Sequence, residues 1–285
     1  MCRKRALAAT AQMLPPLLMA SALLIAGPAL AWGSKSPPAA TATTTPAPVK
    51  ASATVNTAAQ PTTGAAANAK PKASPDVRAQ AERLDPLSRA AFWASQVDAD
   101  PKDAEAGVKL SSALRQIGRY PEAYDAAQAV LVQHPDNTEA LLETARAALA
   151  GNEGFYAIEP ARKALAAAPK DWRAASLLAV ALEQASRPAE ALEAHRKALQ
   201  IAPDNALVLS NAAMFYAAQG DKPQAETLLR KAAALPGANL QVRQNLALIL
   251  GLQGKMAEAE QIERQNLPPQ MAEANLEYMR SANAR

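Results

Sequence analysis

The 285-residue chain has few of the residues on which most catalytic, metal and nucleotide sites depend. It contains one cysteine, two histidines and eleven glycines, and only eleven of its residues are aromatic. So few aromatic residues and glycines disfavour a β-sandwich, a β-barrel or a glycine-looped nucleotide fold. Alanine is abundant instead, and the composition therefore predicts an α-helical protein.

The scarcity of thiol and imidazole groups also narrows the chemistry. Cys2 precedes the N-terminal apolar run, so it does not occupy the position of a lipoprotein's acylated cysteine, and no other thiol is present for disulfides or zinc. Neither His134 nor His195 has a Ser or Cys nucleophile with a carboxylate nearby in sequence, and nucleotide and HExxH motifs are absent. Paired acids such as Glu190 and Glu193 are typical of a solvated helix face. We therefore expect no enzyme, no cofactor and no metal site.

The net charge of +4 comes entirely from the N-terminal part of the chain. No acidic residue precedes Asp76, whereas all 26 acids and 23 of the 30 bases follow from there, which gives that part a net charge of −3. A mildly acidic domain lacks the electrostatic footprint for phosphate backbones, so no nucleic-acid partner is expected.

Residues 1–31 have the three-part pattern of a secretory signal peptide. Basic residues in MCRKR precede an apolar stretch centred on Leu17–Ala26, and a Gly27-Pro28 breaker leads to Ala29-Leu30-Ala31. The pattern predicts export with cleavage after Ala31. An uncleaved membrane anchor is the alternative, although the unbroken apolar run is shorter than the roughly 20 residues that a span needs.

Residues 32–75 consist mainly of Ala, Thr, Pro and Lys, and their only branched aliphatic residues are Val49 and Val55. Such a segment buries too little apolar surface to offset the entropy of ordering it. It is predicted to be a disordered tether; a partner-docking segment is the alternative.

From there on, a period of 34 residues dominates the sequence and is the signature of tetratricopeptide repeats. Closing prolines recur at the same interval. Two columns of small residues predict where paired helices approach most closely: Ala123, Ala157, Ala191, Ala225 and Ala259, and Ser111, Ala145, Ala179, Ala213 and Ala247. The closing prolines are Pro135, Pro169 and Pro203.

Turn residues agree with this register. One position in each repeat holds a residue that tolerates a left-handed helix end, and several prolines stand where the second helix would open. The turn residues are Gly118, Asn152, Ser186, Gly220 and Gly254, and the prolines are Pro121, Pro188 and Pro223.

The predicted fold is therefore all-α: a tetratricopeptide superhelical solenoid of five full helix-turn-helix repeats with helical caps. The repeats span 104–267, at 104–137, 138–171, 172–205, 206–239 and 240–267. Residues 76–103 form an N-terminal capping half-repeat, in which Asp85–Pro101 matches a second helix. Residues 268–285 form a capping helix and tail, with an amphipathic helix over Gln270–Arg280.

The second repeat is irregular, because Gly154 and Pro160 stand where helix formers are expected. Pro160 removes an internal hydrogen bond and is predicted to shorten or kink its helix. This is either a structural irregularity or a change of superhelix curvature.

The first helices of such an array line a concave groove suited to an extended peptide or amphipathic helix of a partner protein. Packing between repeats is an equally weighted explanation for part of the apolar lining. The positions of a carboxylate clamp hold Ser112, Arg146, Val180 and Met214, so a C-terminal carboxylate is not the favoured ligand. The predicted lining is Val108, Ser112, Arg115, Leu142, Arg146, Leu149, Arg173, Ser176, Val180, Leu207, Ser210 and Met214.

The array and the terminal NLPPQMAEANLEYMR (Asn266–Arg280) resemble the TadD family of tight-adherence (Flp) pilus assembly proteins. The resemblance implies a periplasmic accessory protein that helps a secretin or another pilus component assemble. Its membrane association would be indirect, through an outer-membrane partner or an uncleaved signal segment, because the lipoprotein cysteine is missing. The alternative is a general periplasmic adaptor for envelope or polysaccharide biogenesis.

Overall fold

The computed structural model describes residues 72–284, which form thirteen α-helices and no strand. The predicted signal peptide and nearly all of the predicted tether lie outside these residues. The helices are α1 (Pro75–Ala81), α2 (Pro86–Ala99), α3 (Ala104–Gln116), α4 (Tyr120–Gln133), α5 (Thr138–Ala150), α6 (Gly154–Ala167), α7 (Trp172–Gln184), α8 (Pro188–Ile201), α9 (Ala206–Ala218), α10 (Lys222–Ala233), α11 (Leu240–Leu252), α12 (Met256–Asn266) and α13 (Pro269–Asn283).

Helices α3 to α12 form five helix pairs, each packed against the next. The first helices also contact one another in sequence, α3 with α5, α5 with α7, α7 with α9 and α9 with α11. The second helices lie mainly against their own partner and the following first helix. Since elements on the inner side of a curved stack are crowded together, the first helices line its inner face. The all-α solenoid predicted from the sequence is confirmed.

The turn within each pair uses a left-handed backbone conformation, which confirms the sequence prediction. All five predicted residues have positive φ, between 58° and 88°. Two of them, Asn152 and Ser186, are not glycine, and short polar residues tolerate this region better than most others. The predicted prolines Pro121, Pro188 and Pro223 stand in the first turn of α4, α8 and α10.

Each first helix begins with a side-chain cap that also repeats every 34 residues. The capping oxygen accepts a backbone N–H from the first helical turn, a contact that contributes about 1 kcal/mol to helix stability. The caps are Asp103, Asn137, Asp171, Asn205 and Asn239.

The two small-residue columns lie inside the helix pairs. All ten residues have zero exposed surface or are buried to that extent, and the Ser111 hydroxyl donates a hydrogen bond of 2.7 Å to the Ala123 carbonyl across the first pair. The columns therefore meet backbone to backbone, with a serine replacing alanine only where a carbonyl accepts its hydroxyl proton.

Both ends of the array are covered. At the N-terminus Trp93 of α2 is fully buried under the Arg78 guanidinium, which lies 5.5 Å from the ring centre and pairs with Asp103. Helix α1, which carries Arg78, was not anticipated from the sequence. At the C-terminus α13 covers the segment predicted to form an amphipathic helix and buries Leu276 and Met279 against the last pair.

Pro160 does not shorten its helix, so this part of the prediction is wrong. Helix α6 has 14 residues, the same as α4 and α8, and continues through the proline. The carbonyl that loses its partner belongs to Tyr156, whose side chain is more than half exposed, so this turn lies beside solvent.

Candidate partner-binding surfaces

The first helices leave one line of side chains partly exposed on the inner face of the array. On α9, for example, Leu207, Asn211 and Met214 follow one another at helical spacing and are all half-buried. We call this surface the groove strip. It consists of Val108, Ser112 and Gln116 of α3, Glu139, Arg146 and Ala150 of α5, Arg173, Leu177 and Gln184 of α7, Leu207, Asn211 and Met214 of α9, and Gln241, Asn245 and Leu248 of α11.

Six of the twelve predicted groove residues lie on this strip, where partner binding by them stays a prediction. The other six are buried, so their assignment to an accessible groove is corrected. The six on the strip are Val108, Ser112, Arg146, Arg173, Leu207 and Met214. The six buried residues are Arg115, Leu142, Leu149, Ser176, Val180 and Ser210.

The error is mostly a shift of one residue within a helix. One residue turns a helical side chain by about 100°, which moves it from the exposed line into the core. Leu142 thus packs among buried residues that include Ala164 and Ala174, as expected for packing between repeats. The strip passes instead through neighbours such as Leu177 and Asn211.

The N-terminal half of the strip is held together by ion pairs between repeats. Glu143 of α5 is buried and receives hydrogen bonds from Arg115 Nε of α3, at 3.1 Å, and from Arg146 Nη1, at 2.6 Å. Arg115 and Arg146 were both predicted as partner-binding cations. Their contact with Glu143 shows that they also join α3 to α5.

Arg173 forms a similar link one repeat later. Its guanidinium lies 2.7 Å from Asp171 and 2.7 Å from Glu139 of the preceding first helix. Hydrogen bonding to Asp171 raises the pKa of Arg173. Burial alone would raise the pKa of Asp171, but the hydrogen bonds from Arg173 outweigh it and lower that pKa. Acids and bases in this half therefore compensate one another locally.

The C-terminal half is linked by neutral side chains. Asn211 Nδ2 donates to Ser176 Oγ at 3.0 Å, and Asn245 Nδ2 donates to Ser210 Oγ at 3.0 Å. Both bonds join successive first helices. Sequence reasoning missed these pairs, although the serines and the asparagines each recur at 34 residues.

A second accessible surface lies on the second helices. Between α4 and α6 there is a cleft of about 670 Å³, which we call the outer cleft. Val132 and Phe155 are 76% and 72% exposed there, and the Phe155 and Tyr156 rings meet edge to face at 5.7 Å. Its lining includes Tyr124, Leu131, Val132, Phe155, Tyr156, Pro160, Arg162 and Lys163.

The outer cleft contains the irregular residues of the second repeat. A Cβ added to Gly154 would approach Gln184 Cβ to 2.4 Å, so glycine permits α6 to begin close to α7. Sequence analysis singled out Gly154 and Pro160 but missed the surface beside them. Two consecutive aromatic residues in a chain poor in aromatics were the available signal.

The two histidines do not form a reactive site. His195 is 1% exposed, bonds to Glu183 and lies 5.0 Å from the Phe215 ring, which confirms its predicted core position. His134 Nε2 lies 3.3 Å from the Lys102 carbonyl oxygen. Within residues 72–284 no group of His, Cys, Asp or Glu side chains is placed to hold a metal ion.

Membrane-spanning length is likewise not reached by any helix in this part of the chain, at the hydropathy that crossing a bilayer requires.

Stacked helix pairs with an accessible inner strip define a helical-repeat protein of the kind that typically binds other proteins and is not catalytic. Family models described as tetratricopeptide repeat match residues 108–154, 157–206 and 182–237. The chain is thus a tetratricopeptide-repeat protein. No curated protein sequence matches it.

Solved structures with similar folds are also tetratricopeptide proteins or come from other bacteria. A Parabacteroides merdae tetratricopeptide protein has a TM-score of 0.60 at 15% identity, covering 73% of this chain and 86% of its own. TTC0263 from Thermus thermophilus has a TM-score of 0.54 at 22% identity, covering 64% and 100%. Pseudomonas aeruginosa pilF has a TM-score of 0.53 at 16% identity, covering 67% and 89%. At these identities the likeness shows the fold alone.

Proposed function

We propose that the protein is a periplasmic, non-enzymatic scaffold that binds a partner protein along the groove strip during assembly of a tight-adherence (Flp) pilus. The observation that carries the binding role is the strip itself, which runs along all five first helices. Export is supported by the pattern of residues 1–31, and the pilus role by the resemblance of Asn266–Arg280 to the end of TadD-like sequences.

The strip changes character along its length, which suits an extended or helical segment of a partner. Its N-terminal half presents Glu139, Arg146 and Arg173 in compensated ion pairs. Its C-terminal half presents apolar side chains such as Leu207 and Met214 between the amide groups of the serine–asparagine links. Apolar anchors flanked by polar groups are the usual composition of a specific peptide-binding surface.

The test is affinity capture with the full chain from an envelope extract of the organism that carries the gene. The groove variant combines Ser112→Glu with Leu207→Glu, two half-buried strip positions outside the buried ion pairs. The matched cleft variant combines Val132→Glu with Phe155→Glu, which adds the same charge at exposed positions of the outer cleft. Circular dichroism confirms that each variant folds.

A secretin or pilus subunit retained by the wild type and the cleft variant, and lost with the groove variant, supports the proposal. Loss with the cleft variant alone moves the binding surface to α4 and α6. Specific capture of proteins of polysaccharide or envelope synthesis, with no pilus component, favours the general adaptor. Recovery of the protein from the cytoplasmic fraction would contradict its export.

A further inference from the structure

The groove strip ends in a small cavity between α11, α12 and α13. Its volume is about 290 Å³, roughly ten times the volume per molecule in liquid water, so a side-chain head group fits. Helix α11 contributes Gln241 and Asn245 from the strip, α13 contributes Asn275 and Tyr278, and α12 contributes Glu263. The cavity is therefore continuous with the proposed partner-binding surface.

Glu263 is the unusual group in this cavity, because it is 1% exposed and only half satisfied. Its Oε2 accepts a hydrogen bond from Asn275 Nδ2 at 2.8 Å, whereas its Oε1 is buried without a hydrogen-bond partner. No lysine or arginine among residues 72–284 forms an ion pair with it. Burial raises the pKa of Glu263. A buried carboxyl oxygen without a partner is costly unless a ligand supplies the missing donor.

The neighbouring amides leave oxygen atoms as the acceptors of this cavity. Gln241 Nε2 donates to Asn245 Oδ1 at 3.0 Å, and Asn245 Nδ2 donates to Ser210 on the next first helix. Asn275 Nδ2 is engaged with Glu263. With these nitrogens occupied, the carboxyl of Glu263 and the side-chain oxygens of Gln241 and Asn275 require a ligand rich in N–H donors.

We propose that this cavity binds the guanidinium group of an arginine side chain of the partner protein. A guanidinium carries five N–H donors in a fixed plane and a permanent positive charge, so it can bond to acceptors on α11, α12 and α13 together. Leu248 and Met279 beside the cavity provide apolar contact for the aliphatic stem of arginine. The assignment rests on the proposed partner-binding function, since the arginine belongs to the bound protein.

The test measures binding of N-acetyl-arginine amide to the full chain by saturation-transfer NMR titration, without any partner. N-acetyl-citrulline amide, in which a neutral urea replaces the guanidinium, is the matched ligand. Glu263→Gln is the matched variant, because glutamine keeps an oxygen acceptor for Asn275 and removes the charge. Glu260→Gln on the same helix removes an equal charge that pairs with Arg264 outside the cavity.

We expect the wild type to bind the arginine compound more tightly than the citrulline compound. Loss of one charge-assisted hydrogen bond in Glu263→Gln should weaken binding by about tenfold or more. Glu260→Gln should bind as the wild type does. Equal binding of the two compounds, equal binding by Glu263→Gln, or no transfer to the arginine compound would each overturn the assignment.

Thermal unfolding of Glu263→Gln shows that the variant is folded, so that lost binding is not lost structure. The result is independent of the pilus proposal. Arginine binding without capture of a pilus component retains the cavity and refutes the pilus role, whereas capture without arginine binding does the reverse.

Discussion

At the scale of single residues, the clearest requirement is for small side chains where two helices meet. Ala191 has zero exposure between α7 and α8, within a cluster that includes Ala179 and Leu182. Protein interiors are close-packed, so a larger side chain there forces the pair apart.

Ala191→Leu is therefore expected to lower the free energy of unfolding by about 1–3 kcal/mol. Chemical denaturation measures the change. Ala189→Leu on the same helix is the control, because Ala189 is exposed and its substitution should change stability by less than about 0.5 kcal/mol. Equal stability of both variants would mean that Ala191 does not lie at the helix contact.

Glu263 makes the stability of the protein depend on pH. Burial raises its pKa above the ordinary value of 4.5, so the folded state holds the proton more tightly than the unfolded chain does. Its ionisation therefore destabilises the folded state as pH rises through the folded pKa.

We expect Glu263→Gln to be more stable than the wild type at about pH 8, and this advantage to shrink at about pH 4, where the wild-type carboxyl is protonated in both states. Denaturation curves at the two pH values test this. An advantage that grows on acidification would show that the sign of the pKa shift is wrong.

At the scale of helices, the inner face depends on side chains that link one repeat to the next. Glu143 is the central acid of one such link, held between Arg115 of α3 and Arg146 of its own helix. Removing one member of a buried ion pair leaves the remaining charge desolvated and uncompensated.

Glu143→Ala should therefore cost about 3–5 kcal/mol of folding free energy. The comparison is Glu193→Ala, which breaks the exposed pair with Arg196 and should cost at most about 1 kcal/mol. Similar small losses in both variants would indicate that the buried link does not form in solution.

At the scale of the molecule, each repeat depends on its neighbours and the last pair depends on α13. Leu276 of α13 is fully buried against α11 and α12, and Gly251 of α11 makes room for Met279, since an added Cβ would lie 2.3 Å from its sulfur.

Leu276→Ala is expected to cost about 2–5 kcal/mol, and mainly at the C-terminal end of the array. Hydrogen exchange should accelerate in α11, α12 and α13 and remain unchanged in α3 and α4, because a solenoid unfolds locally from a weakened end. Uniform acceleration along the chain would show that the array unfolds as one cooperative unit.

The sequence by itself determined the repeat, its turns and its helix-opening prolines. A left-handed turn residue such as Asn152 and a proline such as Pro188 act within a few residues of the backbone, so their effect is visible in the local sequence. The 34-residue period then carries one helix pair onto the next.

Only the tertiary structure decided which side chains of the inner face are accessible. Leu142 and Glu143 differ by one step along a helix, and their burial depends on how α5 is rotated against its neighbours. The cavity at Glu263 likewise requires three helices to meet, two of them from the last pair and one from the cap. Such contacts join residues whose sequence spacing carries no local signal, so the period predicted the helices and their packing fixed the surface.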